Sequence, residues 1–198
     1  MSLFSTTNAY SQVLHTYVEI LGYASAMTLT AHAIVGAALV SIVPEHPVAG
    51  VCAAFASHFL VDAIPHVDYR IRSASINTKI RAPLTFDRNF FLDMLSIGAD
   101  AVLGMLLALI LFSATPWQIA LGAFAGMFPD ALQFAYARFP REPLSSLQRF
   151  HEWIHTRHRL REHKIAGVVS QVLFLVAVVL FTTFIWSGWH GIVYAVYF

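Results

Sequence analysis

The side chains in this sequence best suited to chemistry sit inside its apolar stretches. His58, Asp62 and His66 recur at i, i+4 and i+8, and Asp93 and Asp100 at i and i+7, so each set falls on one face of a helix. His32 and Asp130 stand in two further apolar runs, and Asp68 closes a Pro-His-Val-Asp turn just after His66. Imidazoles and carboxylates offered by several helices are donors that suit Zn²⁺, Mn²⁺ or iron. The expected ligands are His32, His58, Asp62, His66 and Asp68. Zinc is the first choice of divalent metal, with manganese and iron as alternatives. Asp93, Asp100 and Asp130 are expected to complete the coordination or to serve as the catalytic general base.

A second cluster follows later in the chain, where Phe150-His151-Glu152-Trp153-Ile154-His155 is succeeded by His158 and His163. His151-Glu152-x-x-His155 matches the zincin pattern, in which two histidines one turn apart bind zinc and the glutamate acts as base. The same segment also reads as a basic interfacial helix against anionic head groups. In a third reading, His151 and His155 cap the intramembrane cluster from the cytoplasmic side and join its ligands.

The elements that must carry these residues are apolar helices. Of 198 residues 58% are apolar and only 12% charged, which favours a bilayer-embedded bundle over a soluble domain. A helix crosses the hydrocarbon core in about 17–25 residues. Five stretches are expected to do so: residues 27–43, 47–64, 90–113, 116–139 and 165–186. The fold expected is thus all-α, one polytopic membrane domain over 1–198. Tight connections at Pro44-Glu45-His46-Pro47 and Ala114-Thr115-Pro116 make helical hairpins, while 66–89 and 140–164 are long and polar.

All 12 Lys and Arg residues lie in or at the edges of those two long connections. The positive-inside rule then predicts an inner-membrane protein whose N-terminus and basic loops are cytoplasmic and whose C-terminus is outside. An aspartate at the centre of a spanning helix costs about 2.5–3.5 kcal/mol, so these acids are expected to face one another, water or a metal. Counted from the cytoplasmic ends of their helices, His32, His58, Asp62, Asp93, Asp100 and Asp130 all lie roughly 4–15 Å deep, within one leaflet.

Residues 9–26 place Val13, Tyr17, Leu21 and Ala24 at helical spacing, as an interfacial helix would. No secretory leader is recognised, so insertion is expected through the first span. Gly122 and Gly126 form a GxxxG ahead of Pro129, which predicts close helix contact. The lone Cys52 is expected to pack in the core.

Leu29-Thr30-Ala31-His32, together with Ser57-His58-Phe59-Leu60-Val61-Asp62-Ala63-Ile64-Pro65-His66-Val67-Asp68, resembles the small bacterial membrane-bound metal-dependent hydrolases. Phe128-Pro129-Asp130 looks like a second copy of their acidic Pro-Asp element. The Pro-Asp-x-Asp-His and His-Arg-x-x-x-His-Ser stretches common in that family are not intact here. The resemblance implies a metal-dependent hydrolase. The expected substrate is a membrane lipid or lipid-linked phosphoester or acyl ester at the cytoplasmic leaflet, with arginines holding an anionic head group and no nucleic-acid partner. The alternatives are a non-enzymatic binding or transport component with an intramembrane polar network, and a membrane protease using Glu152.

Overall fold

The computed structural model describes residues 28–64, 66, 71–73, 86–154 and 164–197. Among them are six helices and no strand. They are α1 (Thr28–Ile42), α2 (Pro47–Asp62), α3 (Arg88–Leu111), α4 (Pro116–Arg138), α5 (Leu144–Ile154) and α6 (Lys164–Tyr197). The expected interfacial helix at 9–26 lies outside the described residues.

Helix starts follow local chemistry. Pro47 and Pro116 occupy first-turn positions of α2 and α4, where a missing N–H costs nothing. Asp87 caps α3 by accepting from the amides of Asn89 (2.9 Å) and Phe90 (3.1 Å).

The centre of the bundle is α1. Its sequence is apolar on every face, and it is buried along nearly its whole length between α2, α3, α4 and α6. Small residues make this possible. A Cβ on Gly122 would come within 2.6 Å of the Gly36 carbonyl oxygen, and one on Gly104 within 2.7 Å of the Thr30 Cα. A Cβ on Gly126 would run into the His32 carbonyl. The GxxxG of α4 thus brings its backbone against α1 at the level of His32, as the small-residue spacing predicts.

The two tight turns meet at one end of the bundle, where Gln118 Nε2 donates to the Pro44 carbonyl (2.9 Å) and Thr115 Oγ1 to Gln118 Oε1 (2.5 Å). The opposite end holds the start of α1 and the ends of α2 and α4, and α5 packs onto the latter two.

Polar and apolar surfaces are distributed inside out. His32, His58, Asp62, Asp93 and Asp100 are buried, while Leu95, Val102, Leu106 and Ile110 of α3 and Val172, Leu173, Val176 and Leu180 of α6 are exposed. Arg88–Leu111 and Gly167–Trp186 are long and apolar enough to cross a membrane; Leu29–Ile42 and Pro47–Asp62 are apolar but shorter. The last helix runs beyond the expected end at 186, as far as Tyr197. Cys52 is exposed, not packed in the core as its apolar run suggested, because it lies on the outer face of α2.

Candidate metal centre

One turn of α2 separates His58 from Asp62, and both point toward α1, α4 and α5. Asp62 is the hub. Its Oδ2 lies 3.1 Å from His58 Nε2 and 2.5 Å from His151 Nε2, while its Oδ1 lies 3.1 Å from His32 Nε2 and 4.0 Å from His66 Nε2. From α4, Asp130 brings Oδ1 to 3.6 Å from His58 Nε2. His58 is 0% exposed and Asp62 and His151 are each 3% exposed. Four of these residues, His58, Asp62, Asp130 and His151, have ligand atoms within 4.8 Å of one another and could hold a metal ion.

Backbone contacts set the tautomers. His58 Nδ1 lies 2.8 Å from the Gly126 carbonyl oxygen, and His66 Nδ1 lies 2.7 Å from that of Ile64. A carbonyl only accepts, so each Nδ1 carries the hydrogen, and in a neutral ring each Nε2 keeps its lone pair. His58 therefore aims a lone pair at two carboxylates, which are themselves acceptors, and its Nε2 has no hydrogen-bond partner. Acceptors this close need positive charge between them, either a proton on each ring or one cation. The rings of His32 and His58 are stacked with centroids 4.0 Å apart, a geometry that opposes charging both. A divalent cation, by contrast, would be balanced by the two carboxylates and would need neutral imidazoles.

An outer layer holds these groups in place. Gln133, one turn after Asp130 on α4, donates Nε2 to Asp130 Oδ1 (2.7 Å) and accepts from Gln148 Nε2 of α5 at 3.4 Å. Gln148 precedes His151 by three residues, so one face of α5 carries both. Phe59 of α2 packs beneath α5, its ring centroid 5.5 Å from His151 on the inward face and 5.0 Å from Phe150 at the edge. Sequence reasoning passed over both glutamines. Their spacing of three from Asp130 and from His151 was the available signal.

Of the expected site residues, the structure brings together His32, His58, Asp62, His66, Asp130 and His151. It does not bring Asp93 and Asp100 to this group. Asp100 Oδ2 instead accepts from the amides of Leu29 (2.9 Å) and Thr30 (3.3 Å), and its Oδ1 from Thr30 Oγ1 (2.6 Å), so it caps α1 from a neighbouring helix. Asp93 Oδ2 accepts from the amides of Arg72 and Ser73, each at 2.9 Å, and so holds that segment against α3. Two acids seven residues apart share a face but differ by about 10 Å along the axis, too far to serve one ion. Asp68 and His155 lie outside the described residues. Glu152 is partly exposed beside His151.

No protein-family model, curated protein or solved structure gives a significant match to this chain.

Proposed function

We propose that this chain is a membrane-embedded, metal-dependent hydrolase whose cation sits among His58, Asp62, Asp130 and His151. The reading is carried by one observation: His58 Nε2 lies 3.1 Å from Asp62 and 3.6 Å from Asp130 while its Nδ1 is held to the Gly126 carbonyl, so a neutral His58 turns a lone pair toward two carboxylates. Zinc suits this mixed imidazole and carboxylate set best, with manganese and iron next. When bound there, such an ion would polarise a scissile group and make a bound water more acidic. The residues would do the rest. His58, held by Gly126, and Asp130, held by Gln133, fix the donor geometry, and His151 closes the site from α5. In the net reaction water splits an ester: its OH goes to phosphorus or the acyl carbon, and its H to the departing oxygen.

The membrane reading extends beyond the two helices of spanning length. Five spans, with the site at the cytoplasmic end, would place the exposed apolar faces of α2, α3, α4 and α6 in lipid. The two connections that hold or flank all 12 Lys and Arg residues would then face the cytoplasm, the side on which arginines can hold an anionic head group. Phe150 and Trp153, 43% and 77% exposed on α5, would rest in the interface.

A lipid-linked substrate is supported by an apolar groove of about 400 Å³ lined by Val51, Cys52, Phe55, Leu121, Phe124 and Phe128. Phe55 precedes His58 by one helical turn and Phe128 precedes Asp130 by two residues, so the groove and the ligands share α2 and α4. A tail in the groove would leave a polar head beside Asp62.

The test is metal content and hydrolysis of lipid phosphoesters and acyl esters by protein purified in detergent without chelator. Wild type should hold metal and cleave one class; Asp62→Ala should do neither. Metal-free wild type would instead favour the non-catalytic polar network, a membrane binding or transport component.

A further inference from the structure

His32 and His58 are stacked with ring centroids 4.0 Å apart, and both reach Asp62 through Nε2, yet the two nitrogens are in different states. His58 gives its Nδ1 hydrogen to the Gly126 carbonyl, and its Nε2 has no hydrogen-bond partner. In His32 the unpartnered atom is the other one. Its Nε2 lies 3.1 Å from Asp62 Oδ1, while its Nδ1 is buried and has no hydrogen-bond partner. A carboxylate only accepts, so Nε2 of His32 carries the hydrogen. A second hydrogen, on Nδ1, would make a buried charged donor with nothing to receive it, against the stacked ring of His58. His32 is therefore a neutral donor, the opposite tautomer to its neighbour. The backbone builds this difference in. Gly126 lets α4 lie against the His32 carbonyl, and the Gly126 carbonyl in turn takes the His58 hydrogen.

We propose that His32 is a positioning residue of the metal centre and not one of its ligands: by donating from Nε2 to Asp62 Oδ1, it holds the carboxylate with Oδ2 alone turned to the cation. This inference rests on the metal-centre reading above and gives two stacked histidines different tasks. His32 accordingly stands outside the four residues whose ligand atoms converge within 4.8 Å. A carboxylate free to rotate could grip the ion with both oxygens. With Oδ1 committed to His32, the position that a second oxygen would fill is left for water or substrate, and an open position is what separates a catalytic site from a closed structural one. Hydrogen-bond partners of this kind are typically worth about 10- to 100-fold in metal affinity.

Zinc is the probe for the test. Full-length protein in detergent would be stripped of metal, reloaded with Zn²⁺, and read by competition with a chelating dye and by X-ray absorption at the zinc edge, which counts imidazole ligands. Wild type is expected to show two imidazoles, those of His58 and His151. His32→Gln, whose amide can donate near the place of Nε2, should keep both and bind zinc with close to wild-type affinity. His32→Leu, which fills the space without a donor, should bind about 10- to 100-fold more weakly, again through two imidazoles. Three imidazoles in wild type that fall to two in His32→Gln would make His32 a ligand and overturn the proposal. Wild-type affinity in His32→Leu would overturn it too, as would a loss in His32→Gln as large as that in His32→Leu. No zinc bound by wild type overturns the metal-centre reading itself. If His32→Leu does not fold, the imidazole count and the affinity of His32→Gln decide.

Discussion

His151 holds its Nε2 2.5 Å from Oδ2 of Asp62, across 89 residues of sequence. The contact joins a short helix of the second basic connection to the end of an apolar helix, and it completes a group that neither element forms alone. It also explains why α5 has two unlike faces. Gln148 and His151 turn inward and are buried, whereas Arg149, Phe150 and Trp153 are exposed.

The approach of α4 to α1 should be as necessary to the centre as the ligands themselves. A Cβ at Gly126 meets the His32 backbone, and Gly126 also supplies the carbonyl that orients His58. Gly126→Ala is therefore expected to lower both thermal stability and metal content. Gly98→Ala, whose Cβ would meet nothing within 4 Å, should be neutral or stabilising by up to about 1 kcal/mol. Melting curves and metal analysis of the two variants check this; equal behaviour would contradict it.

Gln133 should tune the metal without holding it. Removing an outer-layer partner of a metal ligand typically weakens binding about 10- to 100-fold. Gln133→Ala is expected to show a loss in that range in competition with a chelating dye, at nearly unchanged helix content. Unaltered affinity would mean that Asp130 is not a ligand.

Asp100 should behave as a cap. Its carboxylate accepts from the amides of Leu29 and Thr30, and caps are worth about 0.5–2 kcal/mol, with a further penalty of about 1–3 kcal/mol where a buried donor is left unsatisfied. Asp100→Ala is expected to cost roughly 2 kcal/mol or more in denaturant unfolding while metal per chain stays at the wild-type value. Loss of metal at unchanged stability would instead place Asp100 in the centre.

Much of this organisation is legible before any coordinates. Apolar runs bounded by Pro47 and Pro116 give helix limits within about two residues for α1 to α4, because hydropathy and proline act locally. The shared depth of His32, His58, Asp62 and Asp130 is likewise a matter of counting along helices. What counting does not reveal is azimuth. Asp93 and Asp100 share one face of α3, yet each accepts from backbone amides instead of joining the cluster, and which group a carboxylate meets depends on how α3 is rotated against its neighbours. Gln133 and Gln148 escape notice for a related reason: a neutral amide draws attention only when the acid or imidazole beside it is known to be buried.

Metal and protons should compete for the same nitrogens. A cation bound only by the folded chain stabilises it by mass action, by about 2.7 kcal/mol when free metal is 100 times its dissociation constant. Chelation is thus expected to lower the melting temperature, and metal affinity to fall as the pH drops and the imidazoles take up protons. A melting temperature indifferent to chelator, in protein shown to carry metal beforehand, would place that metal elsewhere.

The central claim is that a cation, and not protons, joins the imidazoles of His58 and His151 to Asp62. Anomalous X-ray scattering at the metal's absorption edge, from crystals of protein purified without chelator, tests this most directly. The account predicts a peak within bonding distance of Asp62, His58 and His151 that disappears in Asp62→Ala. Ordered protein with no peak there, in the presence of added zinc or manganese, would contradict it.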